Sequence, residues 1–165
     1  MKKATLLSVF VVAILAAVVA PLAAADQPVK LTHTHSETDV LTGACSFPIT
    51  VDATITETDR FFSDQSGMLT RANANFTEQD TFSANGKSLV GDPYTGTIQA
   101  YFDSSGNITQ EYIDGVIERV PLPDGTVFQA AGRVDLAAHD FPSFVITPDS
   151  GSARNLAGFC AALAP

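Results

Sequence analysis

His33-Thr34-His35 is the closest approach to a metal motif in this chain. On an extended strand the side chains at i and i+2 share a face, so both imidazoles could reach one ion, and Glu37 and Asp39 continue the spacing. Zinc requires three or four firmly held protein ligands. The segment around these histidines is rich in Thr, Ser, Asp and Glu and reads as a mobile leader or a loosely attached strand, so no metal and no cofactor are expected. Acids that continue apolar faces are the other candidates. Glu57 extends the face of Ile49, Val51, Ala53 and Ile55, while Glu78 and Asp80 extend that of Met68, Ala72, Ala74 and Phe76. At the mouth of a closed sheet such carboxyls would be partly desolvated, their pKa would rise, and they could serve as acid or base. Glu57, Glu78 and a neighbouring Tyr112 are therefore weak catalytic candidates; the simpler reading makes the acids solvated strand ends. Nucleophilic catalysis has little support, because no serine sits in a Gly-x-Ser-x-Gly elbow and His139 stands alone beside Asp140. Gly-rich phosphate loops are absent.

The elements that must position these residues are strands. Ile49, Val51, Ala53 and Ile55 alternate with Thr50, Asp52, Thr54 and Thr56, a period of two that puts all four apolar side chains on one face. Similar runs pass through Ala72–Phe76, Tyr94–Phe102 and Phe128–Ala138, and Phe144 with Ile146 closes the series. Ser66-Gly67, Asn85-Gly86, Ser105-Gly106-Asn107 and Asp124-Gly125 supply turn residues that tolerate positive φ, and Asn-Gly and Asp-Gly are strong hairpin signals. Between Ile108 and Val120 the apolar face slips, from Ile108 and Tyr112 to Ile113 and Ile117, which places a β-bulge near Asp114-Gly115. No window holds a convincing helical period. Residues 155–163 are too short for a firm helix assignment, and would lie against the sheet wall or cap one end.

An antiparallel meander with one apolar face must bury that face. The expectation is an all-β, single-domain, up-and-down antiparallel barrel of about eight strands, with a β-sandwich as the alternative. Its interior is lined by Phe76, Ile98, Phe102, Tyr112, Phe128, Val134 and Phe144, with small residues between them that either leave room for a ligand or offset the phenylalanines in a solid core.

The chain begins Met1-Lys2-Lys3, follows with an apolar run over residues 4–20, and places Ala23-Ala24-Ala25 before Asp26. That is the pattern of a secretory signal cleaved after Ala25. The expected organisation is a signal peptide over 1–25, a flexible leader over 26–44 and a barrel domain over 45–165, secreted and not inserted in a membrane after cleavage. Loss of Lys2 and Lys3 changes the formal net charge from −9 to −11. Such a field repels phosphate backbones, so nucleic acid is not an expected partner. In an oxidising compartment the even count of two, Cys45 and Cys160, suggests a bridge; two free buried thiols are the competing reading.

The Cys45-Ser46-Phe47-Pro48 opening, the alternating strands with Asn-Gly, Ser-Gly-Asn and Asp-Gly turns, and a closing cysteine before a short apolar end resemble small secreted bacterial β-barrel proteins of unknown function. The resemblance implies a disulfide-closed barrel and transfers no catalytic residue. The leading functional expectation is a secreted non-enzymatic barrel that binds a small apolar ligand or a surface partner. An enzyme of the barrel cyclase or isomerase kind, acting on an apolar substrate, is one alternative, and a structural or interaction protein of the cell envelope is the other.

Overall fold

Alternation becomes a single eight-stranded antiparallel sheet in the computed structural model, which describes residues 28–139 and 145–165. The signal segment and Phe144 fall outside the described residues. The strands are β1 (Val29–Leu41), β2 (Ile49–Ser63), β3 (Leu69–Ala84), β4 (Lys87–Val90), β5 (Tyr94–Phe102), β6 (Ile108–Pro121), β7 (Val127–Asp135) and β8 (Ser150–Arg154), followed by one helix, α1 (Leu156–Leu163). Their lateral order is β1-β2-β3-β5-β6-β7-β8, with β4 folded back on the end of β3. Among the described residues β1 and β8 are the two edges, and no ladder joins them.

The segment expected as a flexible leader or a loosely attached strand is the second of these, and it is firmly held. Val29–Leu41 is a strand, paired with β2 at every residue from Val29↔Phe61 to Leu41↔Ile49. On the face away from the core its hydroxyls meet those of β2: Thr32 with Thr58 at 2.9 Å, Thr34 with Thr56 at 2.8 Å, and Thr38 donating to Asp52 at 2.6 Å. Cross-strand Thr–Thr pairs of this kind stabilise a sheet by tenths of a kcal/mol each, roughly. The last strand also differs from expectation. It is Ser150–Arg154, exposed along its length, and Ile146 is buried outside any strand.

One lateral row sets the shape of the sheet. Gly96 pairs with Gly115, Gly115 with Gly132, and Gly132 with Gly151, so four adjacent strands carry glycine at the same level. A Cβ on Gly132 would lie 2.1 Å from the Ser150 carbonyl oxygen and 2.8 Å from the Gly151 Cα. Glycine here permits close backbone approach and the sharp bend that curls a sheet. Phe76, paired with Gly96, fills the space that a side chain on Gly96 would need. A bulge in β6 between Val116 and Glu118, close to the position expected from the sequence, turns both Ile117 and Glu118 inward.

Curling lets strands that are not neighbours share one core. Val51, Phe82, Leu89, Val120, Phe128, Phe159 and Leu163 pack in one apolar cluster drawn from β2, β3, β4, β6, β7 and α1. Phe159 sits at its centre, 5.1 Å from the rings of both Phe82 and Phe128. The helix thus caps one end of the sheet. Asn85 Nδ2 donates to the Leu163 carbonyl at 2.9 Å, and Lys87 Nζ to that of Ala164, occupying acceptors a helix C-terminus leaves open. The Cys45–Cys160 disulfide ties the helix to the β1–β2 connection across a sequence separation of 115.

Candidate functional site

The inner face of the sheet is best described by its lateral rows, counted from the end opposite the helix. The first row holds Val29, Phe61, Ala72, Ala100 and Glu111; the second Leu31, Asp59, Ala74, Ile98 and Ile113. The third begins His33, Glu57, Phe76 and runs into the glycines. The fourth holds His35, Ile55, Glu78 and Tyr94, and the fifth Glu37, Ala53 and Asp80. Below them lies the apolar cluster closed by α1.

Two polar groups emerge from these rows. One is a layer of acids between the open rows and the apolar cluster. Asp80 and Glu118 are fully buried, with 0% of their surface exposed. They sit on β3 and β6, which β5 separates in the sheet, and meet because the sheet curls. The Tyr94 hydroxyl donates to Asp80 Oδ2 at 3.0 Å, and the Arg119 amide donates to Glu118 Oε1 at 2.9 Å. Among the described residues no nitrogen or hydroxyl donor reaches Asp80 Oδ1 or Glu118 Oε2, yet the Asp80 carboxyl hydrogen-bonds to those of Glu118 and Glu78. The donors in those bonds are therefore carboxyl protons, held by Glu118 and Glu78 against the Asp80 carboxylate. Burial, with the bond to Asp80 adding to it, pushes Glu118 up to about 10. Burial and then the Asp80 charge push Glu78, beside them, up to about 8. Tyr94 is raised by burial and by the acids facing it. A Cβ on Gly91 would come within 2.9 Å of Glu118 Oε1, so the β4–β5 link passes tight against this layer.

The second group lies on the wall formed by β1 and β2. His33 Nε2 is 2.9 Å from Glu57 Oε1, and His33 Nδ1 is 3.5 Å from Asp59 Oδ2. The rings of His33 and His35 stack with centroids 5.3 Å apart. One ligand atom from each of His33, His35 and Glu57 can be chosen so that all lie within 4.8 Å of one another. Glu57 and Asp59 are buried carboxyls, raised chiefly by desolvation; their mutual charge adds to the rise on Glu57, and His33 opposes it on both.

The residues singled out in the sequence divide among these regions. Glu57 belongs to the histidine wall and Glu78 to the acid layer, on adjacent strands but one row apart. Phe76 and Ile98 are on the inner face in a second small core with Ala53, Ile55 and Tyr94. Phe102 is half-buried at the end of β5, where the register shifts. Phe128 and Val134 lie in the solid cluster under the helix. Tyr112 is on the opposite face, its ring under the Arg133 guanidinium at 4.9 Å, with Arg133 also paired to Asp114. His139 pairs with Asp149 at 2.9 Å, away from both groups. An open depression of about 370 Å³ also lies on that opposite face, over Gly96 and Gly115, lined by Asn75, Thr77, Thr95, Thr97 and Asp114. Glu118 and Asp59 were not singled out: one is placed by the bulge, the other by the face that Glu57 already marks. No protein-family model, no curated protein and no solved structure matches this chain.

Proposed function

We propose that the protein is secreted, that its curled sheet is a barrel open at the end opposite α1, and that it binds a small apolar ligand there without transforming it. The observation that carries this reading is apolar surface left partly open on the inner face. Val29 and Leu31 are 55% and 43% exposed, and Phe61, Ile98 and Phe102 are only half-buried. Between them Ala72, Ala74 and Ala100 keep the floor low. Elsewhere inside, the volume is taken by aromatic rings. Half-exposed apolar groups converging on small residues suit an apolar ligand, since each methylene removed from water contributes about 0.8 kcal/mol. The acids at this end, Glu57, Asp59 and Glu111, favour a ligand whose polar head is cationic or donates hydrogen bonds. The disulfide fits an oxidising compartment.

Native mass spectrometry on protein purified from its own host, followed by titration with fatty amines, fatty acids and terpenoids, tests the proposal. A bound apolar mass, or uptake that Ala74→Phe abolishes, is the expected result. Ligand-free protein that takes up none of these probes overturns it. A catalytic reading draws on Glu57, whose raised carboxyl sits next to the same opening. It requires a turnover that Glu57→Gln abolishes while ligand uptake persists.

A further inference from the structure

We propose that His33, His35 and Glu57 form a binding site for a divalent transition-metal ion of the zinc class, with Asp59 positioning His33 from outside the coordination sphere. This inference goes beyond the apolar-ligand reading and stands without it.

The ligand types come first. Two imidazoles and one carboxylate favour zinc, copper or cobalt over magnesium and calcium, which take oxygen ligands almost exclusively. The geometry agrees. Ligand atoms of the three residues lie within 4.8 Å of one another. A tetrahedral zinc ion with bonds of about 2.0–2.1 Å requires its ligand atoms roughly 3.3 Å apart, a contraction within reach of side-chain rotation. His33 Nε2 and Glu57 Oε1 lie 2.9 Å apart, facing each other where an ion would insert.

The surroundings are those of a ligand set rather than of a simple ion pair. Asp59 Oδ2 lies 3.5 Å from His33 Nδ1, on the far side of the ring from Glu57. That is the carboxylate–histidine arrangement which fixes the tautomer and turns Nε2 toward a metal. Among the described residues nothing hydrogen-bonds to the buried His35 Nδ1, so the second imidazole has unmet bonding capacity beside the first. Access is open, because the His33 side chain is 41% exposed while Glu57 is buried beneath it.

Firmness was the objection to this motif in the sequence, and the fold removes it. His33 and His35 are central residues of a strand laddered to β2 over its whole length. The hydroxyl pairs on the opposite face, at Thr32, Thr34 and Thr38, hold the same stretch from behind. Glu57 is directly opposite His33 in the register, so three ligands come from one rigid two-stranded unit. Three protein ligands leave a coordination position for water or an exogenous group.

The test uses the full mature chain with its disulfide intact and the metal ion alone as probe. Calorimetric titration with Zn2+ is expected to give one ion per chain, and Co2+ to give visible d–d absorption. His35→Ala and Glu57→Gln should each weaken binding at least ~10-fold, and Asp59→Asn by about 10-fold. His139→Ala should leave it unchanged. Glu57 is buried, so the exposed His33→Gln serves as a second variant, with circular dichroism confirming the fold. Proton NMR of the unmutated protein needs no variant: Zn2+ should shift the ring signals of His33 and His35 and leave those of His139 in place. Absence of micromolar binding of Zn2+, Co2+ and Cu2+ overturns the proposal. So does binding that survives both His35→Ala and Glu57→Gln, or ring shifts confined to His139.

Discussion

Replacing Glu118 by Gln should make the protein more stable at neutral pH and flatten the dependence of its stability on pH. The acid has 0% exposure, its Oε1 accepts from the Arg119 amide, and its carboxyl bonds to that of Asp80, which needs a proton. Below about 4.5, the ordinary value for glutamate, both folded and unfolded chains carry that proton and the pair contributes in full. Between 4.5 and the folded value of about 10 only the folded chain holds it. The folded state then binds more protons than the unfolded one, so stability falls with rising pH, by about 1.4 kcal/mol per unit for this group. At pH 7 the loss relative to pH 4.5 is about 3 kcal/mol. An amide at the same position donates to Asp80 and accepts from Arg119 without titrating, which removes that slope. Urea denaturation of both proteins at intervals from pH 5 to pH 8 measures it. The expected curves converge near pH 5 and diverge by about 1.4 kcal/mol per unit, the variant above the wild type. The loop acids Asp64, Asp103 and Asp124, all held below the ordinary value by side-chain and backbone donors, lose their contribution only below that value and do not enter this window. Parallel curves, or a variant destabilised at every pH, would refute the shared proton.

Two further substitutions probe the frame around the site. Gly132→Ala, at φ 147 with the Ser150 carbonyl 2.1 Å from the new Cβ, should cost at least ~2 kcal/mol and expose the amides of β8 to hydrogen exchange, whereas Gly125→Ala, at φ 83 in open space, should cost about 1 kcal/mol; equal losses at both positions would mean that the glycine row is not under steric constraint. The native protein should resist alkylation until reductant is added, and Cys45→Ser with Cys160→Ser should lower stability by up to about 4–5 kcal/mol, an entropic ceiling for a loop closed across 115 residues; a thiol that alkylates in the native, unreduced chain would contradict the bridge.

Strands were legible wherever one face is apolar and the other polar. That is why β2, β3, β5 and β7 stand out, and why the slip within residues 108–120 could be read as a bulge. It is also why β1 reads no more firmly than as a leader or a loosely attached strand. Its central inward positions are His33, His35, Glu37 and Asp39, with Val29, Leu31 and Leu41 only toward the ends, so no sustained hydrophobic period exists. A signal was nevertheless present: Thr32, Thr34, Ser36 and Thr38 alternate as regularly as Thr58, Thr56, Thr54 and Asp52, and the two series match antiparallel. β8, a five-residue exposed edge built around Gly151, has no pattern that separates it from a turn.

The weakly marked strand and the candidate site are the same fact. An inward-facing row of histidines and acids lowers the apolar content that makes a strand recognisable, and such residues are tolerated inside only where partners meet them. Here the partners come from β2 directly opposite, Glu57 for His33 and, two residues further along, Asp59. Register alone supplies that pairing, so it was within reach of the sequence once β1 was known to be a strand. The acid layer was not. Asp80 and Glu118 are 38 positions apart and lie on strands that β5 separates. A flat sheet would hold such strands about 10 Å apart, twice the spacing of neighbours. The side chains meet because the sheet curls, with Gly96 and Gly115 paired on β5 and β6, and because a bulge turns Glu118 inward. Glycine in a strand reads as weakness in a linear scan, yet Gly96 and Gly115, aligned on β5 and β6, mark where the sheet curls enough for acids on β3 and β6 to share protons.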